Sequence, residues 1–244
     1  MGDVDPSQVL REAGDLVRRG AYAEALKKYR WFHENALAHD PDMRGVRRSF
    51  ALRYWAQLGD IYPPARTELE EVRDAKTTEL REGSPDRELF GDVAAINEAL
   101  GQVERTSSLF SEIAKRDREF ARKCFPSARP ALAHTRDYSL ARGFIRSPRE
   151  TLGRLAGQLN QSIEDSPATI TTSSTQLQKA YIENYIEDVQ HLFEILVGTG
   201  DADEAERLRT LAIELIASPA IRNEVNEKLQ SSRVETSSNS SPTT

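Results

Sequence analysis

The chain holds one cysteine, Cys124, and four histidines among 244 residues. A single thiol excludes an internal disulfide and fits a reducing compartment. His33, His39, His134 and His191 are scattered, and Cys124 has no partner at metal-ligand spacing, so no metal site is expected. His33-Glu34 begins the His-Glu-x-x-His pattern of a zinc helix, but Leu37 stands where the second histidine belongs. No glycine-rich phosphate loop occurs, and no cofactor is expected. No apolar run approaches the roughly 20 residues that span a bilayer. The start, MGDVDPSQVL, lacks the basic and apolar regions of a secretory leader, and Pro6 stands where a myristoylation motif wants Ser or Thr. These absences make the cytoplasm the expected compartment.

What is present is charge and helical patterning. Hydrophobic residues make up 38% and charged residues 30%, enough to bury a core and stay dissolved. The net charge of −6 is laid out in blocks: +1 over 1–60, −6 over 61–104, +7 over 105–154 and −8 over 155–244. Such blocks can steer a partner, or can neutralise one another between antiparallel helices. The basic block, with Lys115, Arg116, Arg118, Arg122, Lys123, Arg129, Arg136, Arg142, Arg146 and Arg149, could meet phosphates. Acidic blocks on both sides and a pI near 5.4 disfavour nucleic acid as the partner.

Apolar periodicity predicts helices over 7–19, 22–39, 43–59, 62–83, 86–104, 106–124, 127–141, 147–163, 176–198, 201–217 and 219–231. Ser7 after Pro6, Ser84-Pro85 before Asp86, and Ser147-Pro148 mark helix starts. Gly20, Gly59, Gly83 and Gly200 mark ends. The fold class is all-α: stacked antiparallel helical hairpins, about 10–11 helices. The expected organisation is an N-terminal helical array over 1–164 and a Ser/Thr-rich linker over 165–175. A C-terminal hairpin with a capping helix follows over 176–231, then a disordered tail over 232–244. The polar terminal helix would serve as a cap, which argues for a monomer or a weak dimer.

In AGDLVRRGAYAEALKKY the order Ala13, Leu16, Gly20, Tyr22, Ala25, Tyr29 alternates small, large and aromatic positions. A second copy has Leu52, Trp55, Gly59, Tyr62, Ala65 and Leu69, and a last one Phe193, Leu196, Gly200, Ala202, Ala205 and Ala212. This pattern resembles the tetratricopeptide-repeat superfamily. Gly20 to Gly59 is 39 residues, against a family repeat of about 34. The match covers 7–83 and 176–217; over 84–164 only a buried face of Leu109, Ile113, Phe120 and Phe125 is legible.

The resemblance implies a concave surface, built from the first helix of each hairpin, that binds a peptide or another protein. It projects Val46, Ser49, Arg53, Ala56 and Gln57 onto that surface, and Glu187, Gln190 and Glu194 in the last copy, extended by Glu183. Helical geometry reaches Ser49, Arg53 and Gln57 independently, at i, i+4, i+8, with Phe50 and Tyr54 as apolar neighbours. Leu10 and Gly14 occupy the positions where some relatives carry a carboxylate-gripping Lys and Asn, so that clamp is missing. The expected function is a non-catalytic adaptor or assembly factor. Two alternatives stand beside it: an immunity-type protein sequestering a basic partner through the acidic strip, and an enzyme with a pocket in the middle segment. The enzyme would need Cys124 or His134 to be accessible.

Overall fold

The computed structural model describes residues 4–83, 85–165 and 172–238, with side chains left undescribed at 172–176 and 231–238. Every regular element among the described residues is helical, and none of these helices is long and apolar enough to cross a membrane. Of the expected linker and tail, 166–171 and 239–244 fall outside the described residues, as does Ser84.

Capping chemistry sets the ends. Helix α1 (Pro6–Arg18) has proline in its first turn, where no backbone donor is needed, and Asp5 accepts from the Ser7 amide at 2.8 Å. Gly20 then takes φ +76°, a left-handed turn that reverses the chain into α2 (Tyr22–His39). A 3-10 turn (Pro41–Met43) leads to α3 (Arg44–Arg48), α4 (Phe50–Ile61) and α5 (Pro63–Arg81). Asp86 caps α6 (Arg87–Ala99) through the Glu88 and Leu89 amides at 2.7 and 3.2 Å.

The remaining elements are α7 (Val103–Arg116), α8 (Arg118–His134), α9 (Tyr138–Arg142), α10 (Pro148–Glu164), α11 (Thr172–Gly198), α12 (Ala202–Glu214) and α13 (Pro219–Ser238). Ser147 caps α10 through the Glu150 amide at 3.2 Å, as the sequence predicts.

Four boundaries differ from the sequence reading. The helix expected over 43–59 breaks at Ser49, with φ −122° and ψ −92°. Arg47 and Arg48, both in α3 just before the break, reach the carboxylate of Asp92. Gly59 does not end a helix but lies inside α4: a Cβ there would stand 2.8 Å from Cβ of Arg66 on α5. The helix expected over 86–104 stops earlier, at Gly101 with φ +67°. Asp117 separates α7 from α8 by accepting from the Phe120 amide at 2.9 Å, and α8 then continues through Pro126 and Pro130.

Contacts divide the chain into 1–131 and 132–244, a division that falls within α8. Residues 132–164, read from the sequence as the end of the first array, therefore group with the C-terminal unit. In the first unit α1 packs on α2, α4 on α5, α5 on α6 and α6 on α7. Ala13, Ala25, Tyr29, Leu52, Trp55, Ala65 and Leu69 share one buried cluster. The Trp55 indole N–H donates to the Ala65 carbonyl at 2.9 Å, which satisfies its polar atom inside that core. In the second unit α9 and α10 pack against α11, and α12 packs on both α10 and α11. Buried Phe193, Leu196, Ala205 and Ala212 are the copy's expected core positions, whereas Ala202 is exposed. Gly198 is required there by contact, since a Cβ would collide with the Tyr138 ring.

Candidate partner-binding groove

Helices α1 and α4 place one face each toward a common concavity of about 710 Å³. Leu10, Gly14 and Val17 recur along α1, and Tyr54, Gln57, Leu58 and Ile61 along α4, at the three- and four-residue spacing of one helix face. Tyr29 of α2, Met43 and Val46 complete its apolar lining. Two of these apolar walls stand open to solvent: Tyr54 is 43% exposed and Ile61 55%. The rim is charged but internally paired, Arg11 with Asp5 at 3.4 Å and Arg18 with Asp15. Burial pushes the Tyr29 phenol up to about 12, so it stays a neutral hydrogen-bonding group in the lining of the groove.

The sequence-derived strip faces the groove only in part. Tyr54 and Gln57 line the groove, while Ser49, Phe50 and Arg53 are exposed beside it and do not. The Ser49 hydroxyl donates back to the Gly45 carbonyl at 2.7 Å. The Arg53 guanidinium carbon lies 5.8 Å from the centre of the Phe50 ring, which in turn is 6.5 Å from that of Tyr54. Ala56, projected onto the same surface, is buried instead because it faces the Leu52 and Trp55 core. On α11, Glu183, Glu187 and Glu194 are exposed and Gln190 is half-buried. Crowding by its surroundings raises the Glu194 carboxyl, against the pull of Arg136.

Behind α4 lies a charged cluster that the sequence reading missed. Arg47 makes a bidentate pair with Asp92 at 2.7 and 2.8 Å, and its Nε donates to the His33 carbonyl at 2.6 Å. Arg48 Nε and Lys76 Nζ each reach the same carboxylate at 2.8 Å. Burial alone would raise the Asp92 carboxyl, but the hydrogen bonds and charges of Arg47 and Lys76 outweigh it and hold Asp92 well below the carboxylate range. Burial, aided by the Arg47 charge, drives His33 down to about 3, so this imidazole is neutral. The available signal was a lone carboxylate in the otherwise apolar run LFGDVAAI. The cluster ties α2, α3, α5 and α6 together, with every charge engaged internally.

Of the two candidate groups of the middle segment, one is buried and one is exposed. Cys124 is fully buried and burial pushes its thiol up to about 12, the opposite of an activated nucleophile. His134 is exposed at the end of α8. Among the described residues no three His, Cys, Asp or Glu side chains come together to hold a metal ion. The basic block is partly spent on internal contacts. Arg116 donates to the Leu80 and Arg81 carbonyls at 2.7 Å, closing the C-terminus of α5, Arg129 is buried, and Arg142 pairs with Asp201 at 2.9 Å.

Comparison of the chain with protein-family models, with curated proteins and with solved structures returns no match.

Proposed function

We propose that this chain is a protein-interaction module. Its stacked, tetratricopeptide-like hairpins would form a short solenoid that takes a peptide or partner segment in the groove between α1 and α4. One observation carries this reading: an open, largely apolar concavity walled by the first helix of each of two successive hairpins, with Tyr54 and Ile61 left facing solvent. Exposed apolar surface gathered in a concavity with a polar rim is the usual composition of a protein-binding site. Aromatic side chains at the centre of such surfaces carry most of the binding energy, which assigns Tyr54 the anchoring role. Arg53, stacked beside Phe50, would supply charge at the edge, and Gln57 a hydrogen bond from the wall. The test is capture by immobilised protein in parallel with a Tyr54→Ala, Ile61→Ser variant. The reading requires a stoichiometric partner retained by the first and lost from the second; equal retention by both rejects it.

A sequestering role for the acidic α11 face has a narrower basis, the three exposed carboxylates Glu183, Glu187 and Glu194 on one side of the helix. Replacing Glu187 and Glu194 by Lys would then weaken partner binding at low salt, whereas binding in the α1/α4 groove would be unaffected.

A further inference from the structure

Away from the groove, α5, α6 and α7 border a cavity of about 160 Å³ lined by charged side chains together with Val93 and Leu109. Its distinctive wall is Arg73, a guanidinium only 3% exposed. Arg73 Nε donates to Asp74 at 2.5 Å, and Nη1 donates to the side-chain oxygens of Asn97 and Gln102 at 3.3 and 2.6 Å. Both amides are themselves held, Asn97 by donating to Thr106 at 3.0 Å and Gln102 by donating to Glu70 at 3.3 Å. The guanidinium is thus fixed in orientation by partners of which Asp74 and Asn97 also line the cavity, while its remaining nitrogen, Nη2, takes part in none of these bonds.

Two further guanidiniums line the same cavity. Arg105 stands 3.8 Å from Asp74, and Arg81 is bidentate with Glu112 at 2.8 and 3.0 Å. Ser108 adds a hydroxyl, and Glu104 contributes the one lining carboxylate that no arginine engages. A cation here would face three guanidiniums. The volume is well below the roughly 300 Å³ at which organic-ligand pockets begin, so nothing larger than a small ion or a single group fits. With Nε and Nη1 engaged, Nη2 keeps two N–H donors for a charged oxygen acceptor.

We propose that this cavity is a binding site for a free oxyanion of phosphate size, held by the Nη2 edge of Arg73, with Arg105 closing from the rim and Ser108 donating a hydroxyl. The site is separate from the α1/α4 groove and stands or falls independently of partner binding. Glu104 limits its affinity by like-charge repulsion, and this makes the site testable in both directions.

The experiment is calorimetric titration of inorganic phosphate into the full chain, against sodium chloride at matched ionic strength and against acetate. The site predicts saturable phosphate binding that Arg105→Ala weakens roughly tenfold, the order of one charge-assisted hydrogen bond. Glu104→Gln should tighten it roughly threefold by removing the opposing charge. Lys115→Ala, on the same helix but outside the cavity, should change nothing. Arg73→Gln should abolish binding; because Arg73 is buried and this variant could unfold, the exposed Arg105 and Glu104 variants carry the decision. No saturable binding up to about 50 mM phosphate, a range that would still reveal affinities weaker than millimolar, overturns the proposal. So does indifference to both rim variants, an equal loss in Lys115→Ala, or acetate binding as well as phosphate.

Discussion

Arg47 and Arg53 are separated by only five residues, yet Arg47 is 7% exposed and locked on Asp92 while Arg53 stands in solvent against the Phe50 ring. The segment 44–61 thus has two sides with different duties. Its inner side, Arg47, Arg48, Leu52, Trp55 and Gly59, fastens α3 and α4 to neighbouring helices by charge, ring packing and backbone approach. Its outer side, Phe50, Arg53, Tyr54, Gln57 and Ile61, is exposed, and Phe50 meets Arg53 and Tyr54 on that same face. A side chain in the first set is held by stability; one in the second is free to be used in recognition.

The largest expected contrast comes from removing Asp92. Asp92→Ala strands buried Arg47 beside Arg48 and Lys76, and breaking a buried pair from one side costs about 3–5 kcal/mol, measurable by urea unfolding. Acid should act on the same cluster. His33 titrates near 3 in the folded protein and near 6.5 unfolded. The unfolded chain therefore takes up the proton first as the pH falls. Stability should be flat above about 6.5 and decline by roughly 1.4 kcal/mol per pH unit below it, until the folded imidazole protonates. Asp92, depressed in the fold, adds a further loss below the ordinary aspartate range. Urea midpoints from pH 7 to 4 should show this decline in the native chain and a shallower one in His33→Gln.

Gly59→Ala should cost about 1–3 kcal/mol, because the new methyl meets Cβ and backbone of Arg66 rather than a movable side-chain end. The smallest stability effects belong to the outer side. Arg53→Glu or Tyr54→Ala should shift the unfolding free energy by no more than about 0.5 kcal/mol. A loss of several kcal/mol at either position would erase the distinction between the two sides.

The hairpins were legible because their signals are local. Gly20, Gly83 and Gly200 adopt positive φ where the sequence places turns, and Ala13, Ala25 and Ala65 are fully buried where the repeat pattern wants small residues. The break at Ser49 was not legible, since the run from Val46 to Leu58 holds no proline or glycine to mark it. The division after Ala131 was hidden as well: proline normally ends a helix, but α8 runs through Pro126 and Pro130. Of the groove, periodicity found Tyr54 and Gln57. It passed over Val17 and Ile61 as lining because a search for an exposed polar strip does not select apolar side chains, and only the pairing of α1 with α4 makes these face one another.

The most direct test of the groove as a partner site is a comparison of three proteins in one capture experiment: the native chain, Tyr54→Ala with Ile61→Ser, and Lys115→Glu as a surface control. Thermal midpoints should agree among the three. A partner bound stoichiometrically by the native chain and the Lys115 variant, and released by the groove variant, is the predicted result. Undiminished capture by a folded groove variant would contradict the account.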